Sequence, residues 1–233
     1  MKRMGLMAVL AALALVFSGC DDDSSAEAKE YDRQMALNDG NYAEVLSMTE
    51  NCGADYACQM DRAAAYAGRA GFSLSTVIAG LTDEDESDSF YAKLAASASD
   101  TARDDLNLSK TVYEGIIEAD GGLKENVCNK AHPDYAAASY YQQAACFPHG
   151  MTVMAKTAIL MESIKDAPDP DDSQEVAELL NGDINTLVNL FGDGSADTVD
   201  AVNEVKDEVC AAGGKPAGCT ITDTDVDAYV AAN

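Results

Sequence analysis

The stretch Met151-Thr152-Val153-Met154-Ala155-Lys156-Thr157-Ala158-Ile159-Leu160-Met161-Glu162-Ser163-Ile164 decides the fold. Its large apolar residues (Met151, Val153, Met154, Ile159, Leu160, Met161, Ile164) spread around most of a helical wheel instead of forming one stripe. A helix apolar on that many sides needs neighbours on each of them, so this segment is expected at the centre of a helical core.

Outward from it, the pattern stays helical. Toward the N-terminus, Pro133 opens a segment over 133–144 rich in Ala and Tyr. Before that, 101–119 carries Leu106, Tyr113, Ile116 and Ile117 on one stripe and stops at Gly121-Gly122. Segment 55–70 places Met60, Ala63, Ala64 and Ala67 on one face, and 27–38 and 41–50 are two short helices broken by Asp39-Gly40. Between these parts, an apolar helix is expected from Phe72 to Leu81, an acidic loop from Thr82 to Glu86, and a further helix over 87–98.

Toward the C-terminus, the loop from Asp166 to Asp172 leads into a helix burying Val176, Leu179, Leu180, Leu187 and Phe191, with Gly182 as a kink or break. Asp172 and Glu175 resemble a capping arrangement at its start. Gly192-Asp193-Gly194 separates it from 197–211, where Val199, Val202, Val205 and Val209 make a stripe, and a capped helix from Thr222 to Ala232 closes the chain. Alternating β-branched runs are hard to find. The expectation is an all-α array or bundle of about nine or ten helices with short links.

Composition narrows the function. The 233 residues hold 41 Asp and Glu against 15 Lys and Arg, a net charge of −26. Nucleic-acid binding requires Lys and Arg to replace counterions around phosphates, so a balance this acidic argues against that class. The acidity serves either as a solvated surface that keeps the protein soluble or as a surface for cations or basic partners.

The first residues read as an export signal. Lys2 and Arg3 form a positive end, Leu6 to Phe17 is an uncharged apolar run, and Ser18-Gly19 precede Cys20. About a dozen apolar residues fall short of the ~20 that a helix needs to span a ~30 Å hydrocarbon core. Val16-Phe17-Ser18-Gly19-Cys20 resembles the lipobox of bacterial lipoproteins, with Phe17 where Leu is more usual. The resemblance implies cleavage after residue 19 and a diacylglyceryl thioether on Cys20, usually with an acylated amine, palmitate being a typical chain. It further implies attachment to the cell envelope with the domain facing the periplasm.

Residues 20–26, with Asp21-Asp22-Asp23, then form an acidic tether, and 27–233 the helical domain. In enteric lipoproteins Asp after the lipidated Cys resembles an inner-membrane retention signal. The rule is specific to those bacteria, so inner and outer membrane both remain open.

Seven cysteines are an odd number for an oxidising compartment. Assigning Cys20 to lipid leaves six. Cys52/Cys58, Cys128/Cys146 and Cys210/Cys219 are the natural local pairs, though six cysteines allow 15 pairings. A further resemblance is to tetratricopeptide repeats. Ala36-Leu37-Asn38-Asp39-Gly40-Asn41-Tyr42-Ala43-Glu44-Val45-Leu46 is similar to a turn and second helix of such a unit. Ala64-Ala65-Tyr66-Ala67-Gly68-Arg69-Ala70-Gly71-Phe72 is similar to the first helix and turn of the next. It implies stacked helical pairs over about fifty residues; no 34-residue period follows residue 82.

Catalytic motifs are missing: there is no Cys-x-x-Cys-His, His-Glu-x-x-His, Gly-x-Ser-x-Gly or Walker loop. No catalytic residue, cofactor or metal is therefore assigned, and an enzyme is not expected. Two weaker metal patterns exist. Cys128-x3-His132 with Cys146-x2-His149 holds the only two histidines and could supply zinc, but the same cysteines suit a disulfide, and both histidines read as loop residues beside proline. Asp193-x-Ser195-x-Asp197 with Glu204 mimics part of an EF-hand but has Thr198 where the turn needs Gly. Asp169-Pro170-Asp171-Asp172 could hold calcium loosely, helix-start aspartates being the simpler explanation.

Tyr135, Tyr140 and Tyr141 with Met151, Met154 and Met161 could line a ligand groove, ordinary core packing being the alternative. Two functions follow as expectations. One is a lipid-anchored helical scaffold with protein partners in the envelope. The other is a ligand-binding lipoprotein that serves a transporter.

Overall fold

Among the described residues, amphipathic segments punctuated by Gly, Asp and Pro fold as helices. The computed structural model describes residues 26–72, 95, 96, 98–166, 169–183, 185, 188, 189 and 196–232, with backbone alone at 166 and over 196–202. The helices are α1 (Ala26–Asn38), α2 (Tyr42–Met48), α3 (Tyr56–Arg69), α4 (Ala102–Ile117), α5 (Lys124–Val127), α6 (Pro133–Ala137), α7 (Tyr140–Asp166), α8 (Pro170–Asn181), α9 (Ala196–Ala212) and α10 (Asp223–Ala232). No strand occurs among the described residues, so the fold is all-α. Cys20, the expected apolar segment after its first residue Phe72 (73–81), the loop 82–86, nearly all of 87–98, the break over 192–194, Leu187 and Phe191 lie outside the described residues. So do the side chains of Val199 and Val202.

Local chemistry sets the helix ends. Asp55 caps α3 by accepting the Cys58 N–H at 3.1 Å. Asp169 caps α8 by accepting the Asp171 N–H at 3.0 Å. Such caps satisfy backbone donors that a first turn leaves orphaned, and each stabilises by about 1 kcal/mol. The cap of α8 thus lies three residues before the expected Asp172. Asp172 and Glu175 sit inside the helix and instead take Arg103, Asp172 at 2.6 Å and Glu175 at 3.1 Å. At α10, the Asp225 carboxylate accepts from the Thr222 N–H and hydroxyl, both at 2.7 Å. Helix α4 ends on a turn with Asp120 at φ 59°, just ahead of Gly121-Gly122.

The segment apolar on all sides is the centre, as its pattern requires. Val153, Met154, Leu160, Met161 and Ile164 of α7 pack with Val176, Leu179 and Leu180 of α8, Val209 of α9, and Val226 and Val230 of α10. Each fully buried aliphatic side chain here contributes about 1.5–3 kcal/mol of transfer free energy. A second core joins α4 to the first part of α7 through Tyr113, Ile116, Ile117, Ala145 and Cys146, and Ala63 of α3. Ala36, Val45 and Ala65 form a small third cluster that binds α1 and α2 to α3.

Helix α7 is longer than its pattern suggests. It starts at Tyr140 and runs through Pro148, joining two segments that read as separate. Pro148 cannot donate to the carbonyl of Ala144, a loss that normally ends or kinks a helix. Burial on both sides offsets it: Ala145, Cys146, His149, Val153 and Ala155 are fully buried. His149 is therefore an interior helical residue rather than a loop one.

Three disulfides close the expected local pairs. Cys52–Cys58, Cys128–Cys146 and Cys210–Cys219 have Cα separations of 5.4, 5.4 and 5.9 Å. The first ties the α2–α3 corner to the first turn of α3, the second pins the segment after α5 to α7, and the third braces the turn between α9 and α10. Short loops of this kind add less than the ~3 kcal/mol of a 15-residue loop, apart from the somewhat longer Cys128–Cys146 span.

Candidate functional site: an apolar pocket beside α3, α4 and α7

The stripe on α3 that reads as a core face does not meet another helix along its whole length. Ala63 is buried, but Met60, Ala64 and Ala67 stay half-exposed because they line a pocket of about 700 Å³. The turn between α1 and α2 (Leu37 to Gly40) and Tyr42 form one side. Tyr113 of α4 and Phe147, Pro148, Met151 and Thr152 of α7 form another, and Phe72 completes the lining. This size falls within the ~300–1,000 Å³ of small-molecule sites, which are typically apolar with a few placed polar groups.

Two glycines make the wall possible. Gly40 turns the α1–α2 corner at φ 75°, a left-handed conformation that costs glycine little. Gly68 lets Tyr42 lie against α3: a β-carbon there would come within 2.2 Å of the ring. The small residues of this stretch thus admit a neighbouring side chain rather than a second helix backbone.

Polar groups on the wall are few. Asp61 accepts from Arg33 Nε at 2.7 Å, an ion pair that ties α1 to α3. Burial nevertheless outweighs that pairing and raises the Asp61 carboxyl above its ordinary value, with Glu30 and Asp55 adding repulsion. Burial, assisted by the Asp61 charge, also raises the phenol of Tyr113. Thr152 donates to the Pro148 carbonyl at 2.9 Å.

A second titratable cluster joins α4 and α7 to Lys124 of α5 and to Asp183 just after α8. Lys110 Nζ bridges Glu114 Oε1 and Asp183 Oδ2, both at 2.9 Å, and Lys124 also pairs with both carboxylates. His149, fully buried, places Nε2 3.4 Å from Glu114 Oε1, a proximity without an aligned hydrogen bond. Burial pushes the Glu114 carboxyl up, but the nearby imidazole and the ammonium groups of Lys124 and Lys110 outweigh it and hold it far below the carboxylate range. Asp183 is lowered in the same way by Lys124 and Lys110 against the effect of burial.

Ligand atoms of Glu114, His149 and Asp183 all lie within 4.8 Å of one another, a spacing that suits a divalent ion. The two ammonium groups already balance the two carboxylates, so a divalent ion would have to expel both before its charge was compensated. This chemistry fits a closed ion-pair network tying α4, the α5 turn and the end of α8 together.

The six residues expected to share one groove are divided. Met151 lines the pocket, whereas Met154 and Met161 are packed in the central core. Tyr140 is exposed, its ring 5.4 Å from that of Tyr141, which in turn lies 6.2 Å from Tyr56. Tyr135 and Tyr141 pack against the cluster around Cys128–Cys146. The grouping fails because Tyr140 and Met161 are six helical turns apart, so one groove cannot collect both. Sequence reasoning missed Leu37, Tyr42, Phe72, Phe147 and Asp61 as wall residues. The available signal was the half-apolar stripe on α3 opposite the Asp39-Gly40 turn.

The cysteines of the zinc pattern are bonded to each other, and its histidines are apart in role. His132 caps α6 by accepting the Asp134 N–H at 3.2 Å, while His149 faces Glu114. Asp169 serves as a helix cap rather than as part of a calcium loop. Asp193 and Ser195 and the Asp197 side chain lie outside the described residues.

Compared with known proteins, the chain matches no family model, no curated protein and no solved structure.

Proposed function

We propose that this protein is a lipid-anchored envelope protein that binds a small, largely apolar molecule in the pocket between the α1–α2 turn, α3, α4 and α7. The observation that carries the reading is the pocket itself: about 700 Å³ bounded mainly by apolar and aromatic side chains. Packed interiors rarely leave voids larger than a water molecule, so apolar walls around this much space favour a site shaped for a guest. The lipobox-like end at Cys20 supplies the address, and the pocket would sit a short acidic tether away from the bilayer. Among the described residues no helix is long and apolar enough to cross a membrane.

The reading is of a binding protein rather than an enzyme. The ionisable groups on the wall are the carboxylates Asp39 and Asp61 and the phenols Tyr42 and Tyr113, which make no nucleophile–base pair. Delivery of solute to an envelope partner fits this pocket better than a pure scaffold does. The exposed large apolar residues that a scaffold would use (Tyr31, Met35, Met48, Leu108, Leu123, Tyr140) are spread over several elements.

The test is saturable binding of an uncharged fluorescent arylamine such as N-phenyl-1-naphthylamine. The filled variant Ala67→Phe is expected to weaken it at least about tenfold while leaving the helical circular-dichroism spectrum intact. Absence of saturable binding, or equal affinity in a folded Ala67→Phe protein, overturns the pocket reading. The anchor is tested separately. Cys20→Ser should move the protein from the membrane fraction to the soluble fraction with all three disulfides formed, and a free thiol in the anchored protein would break that assignment.

A further inference from the structure

The pocket is electrostatically one-sided. Its lining includes Asp39 at the exposed rim and Asp61 deeper in, and none of the lining residues is a lysine, arginine or histidine. Asp61 gives only Oδ2 to Arg33; Oδ1 accepts no hydrogen bond among the described residues. Glu30 and Asp55 act on Asp61 with their own negative charges. Asp61 thus feels two further negative charges against the one guanidinium it pairs with.

Of the other two cations of α3, Arg69 pairs with the carboxylate of Asp105, while Arg62 donates to the neutral carbonyls of Thr49 and Glu50, and neither lines the pocket. The chain as a whole carries −26, which raises the local concentration of cations and repels anions.

Aromatic lining points the same way. Tyr42, Phe72, Tyr113 and Phe147 all border the pocket. Aromatic faces attract alkylated ammonium groups, which are weakly hydrated and cost little to desolvate. An anion would meet no positive lining group and would lose its hydration without compensation. A neutral molecule would gain apolar burial only.

We infer that the ligand of this pocket is an amphipathic organic cation, an apolar body bearing an amine or quaternary ammonium group, with Asp61 as its charge partner and the aromatic wall as its seat. This rests on the pocket being a ligand site, and it adds the chemical class.

The experiment compares three probes sharing one skeleton on the purified full-length protein: phenylbutyltrimethylammonium, phenylbutanol and phenylbutyrate. Each is titrated by calorimetry and by displacement of the uncharged arylamine. The cation is expected to bind at least about tenfold more tightly than the alcohol, with the carboxylate weakest and the preference shrinking as salt rises. Asp61→Asn should bring the cation to within about threefold of the alcohol. Because that change strips Arg33 of its partner, the exposed rim variant Asp39→Asn provides a second reading, with a loss of about two- to threefold for the cation alone.

Equal affinity for cation and alcohol overturns the assignment of ligand class and leaves the pocket as a ligand site. Failure of all three probes and of the arylamine to bind a folded protein overturns both.

Discussion

Tyr113 and Glu114 are neighbours on α4, and Phe147 and His149 lie two residues apart on α7, yet each pair is divided between two regions. Tyr113 and Phe147 border the pocket; Glu114 and His149 join the ion-pair network. In the network each carboxylate is bridged by two ammonium groups, and both carboxyls are held below their ordinary values. In the pocket the Asp61 carboxyl has one guanidinium and is raised. The same chemical group shifts in opposite directions because pairing exceeds desolvation in one place and falls short of it in the other. A cluster whose pairing outweighs desolvation ties helices together, whereas a carboxylate for which burial outweighs its single pairing has, on the ligand class proposed above, more to gain from a second cation.

Breaking the network should have the largest effect. Glu114→Gln removes the negative charge shared by Lys110 and Lys124, so the two ammonium groups are left with Asp183 as their one carboxylate partner in the cluster. A stability loss of about 2–3 kcal/mol is expected by denaturant unfolding, somewhat below that for a fully buried pair because its edges reach water. A loss under ~0.5 kcal/mol would place this cluster with ordinary surface pairs.

Gly68→Ala comes next. Its β-carbon would meet three ring atoms of Tyr42 at 2.2 to 2.7 Å. The ring must swing away, at a cost of about 1–3 kcal/mol, and arylamine affinity should fall with it. Unchanged affinity would show that Tyr42 is not part of the working wall.

Acid titration sharpens the contrast between the two sets of carboxyls. Glu114 and Asp183 have depressed folded values, so their stabilisation is present above the unfolded values, near 4.3 and 3.9, and is lost as pH falls through the folded ones. Asp61 works in the opposite sense, because its raised value makes ionisation oppose folding. Unfolding free energy should therefore decline below about pH 4.5, and Glu114→Gln should flatten that decline while Asp61→Asn steepens it. The smallest effect is expected for Met151→Leu, a volume-conserving change on the pocket wall, at under ~1.5 kcal/mol in stability and little in affinity.

Which features were legible in the sequence follows from the range of the interactions. Periodicity over Met151–Ile164 and the stripe Leu106, Tyr113, Ile116, Ile117 reported burial correctly, because a helix exposes its pattern every turn. The local cysteine pairs were legible because each joins the ends of a short loop. Helix α7 through Pro148 was not legible, since a backbone penalty written in one residue is outweighed by burial that neighbouring helices supply. The pocket was least legible of all. Met60, Ala64 and Ala67 carry the same apolar signature whether a helix or a cavity lies opposite.

The sequence by itself determined the all-helical class, the acidic charge, the cysteine pairing by proximity, and the central place of the Met-rich helix. These depend on composition and on contacts within a few turns of the chain. Tertiary structure alone decided that Asp61 meets Arg33 across 28 residues, that Lys124 meets Asp183 across 59, and that α1, α3, α4 and α7 leave a space between them. Pairings and voids of that kind arise from how whole helices come together, and no local pattern of residues encodes them.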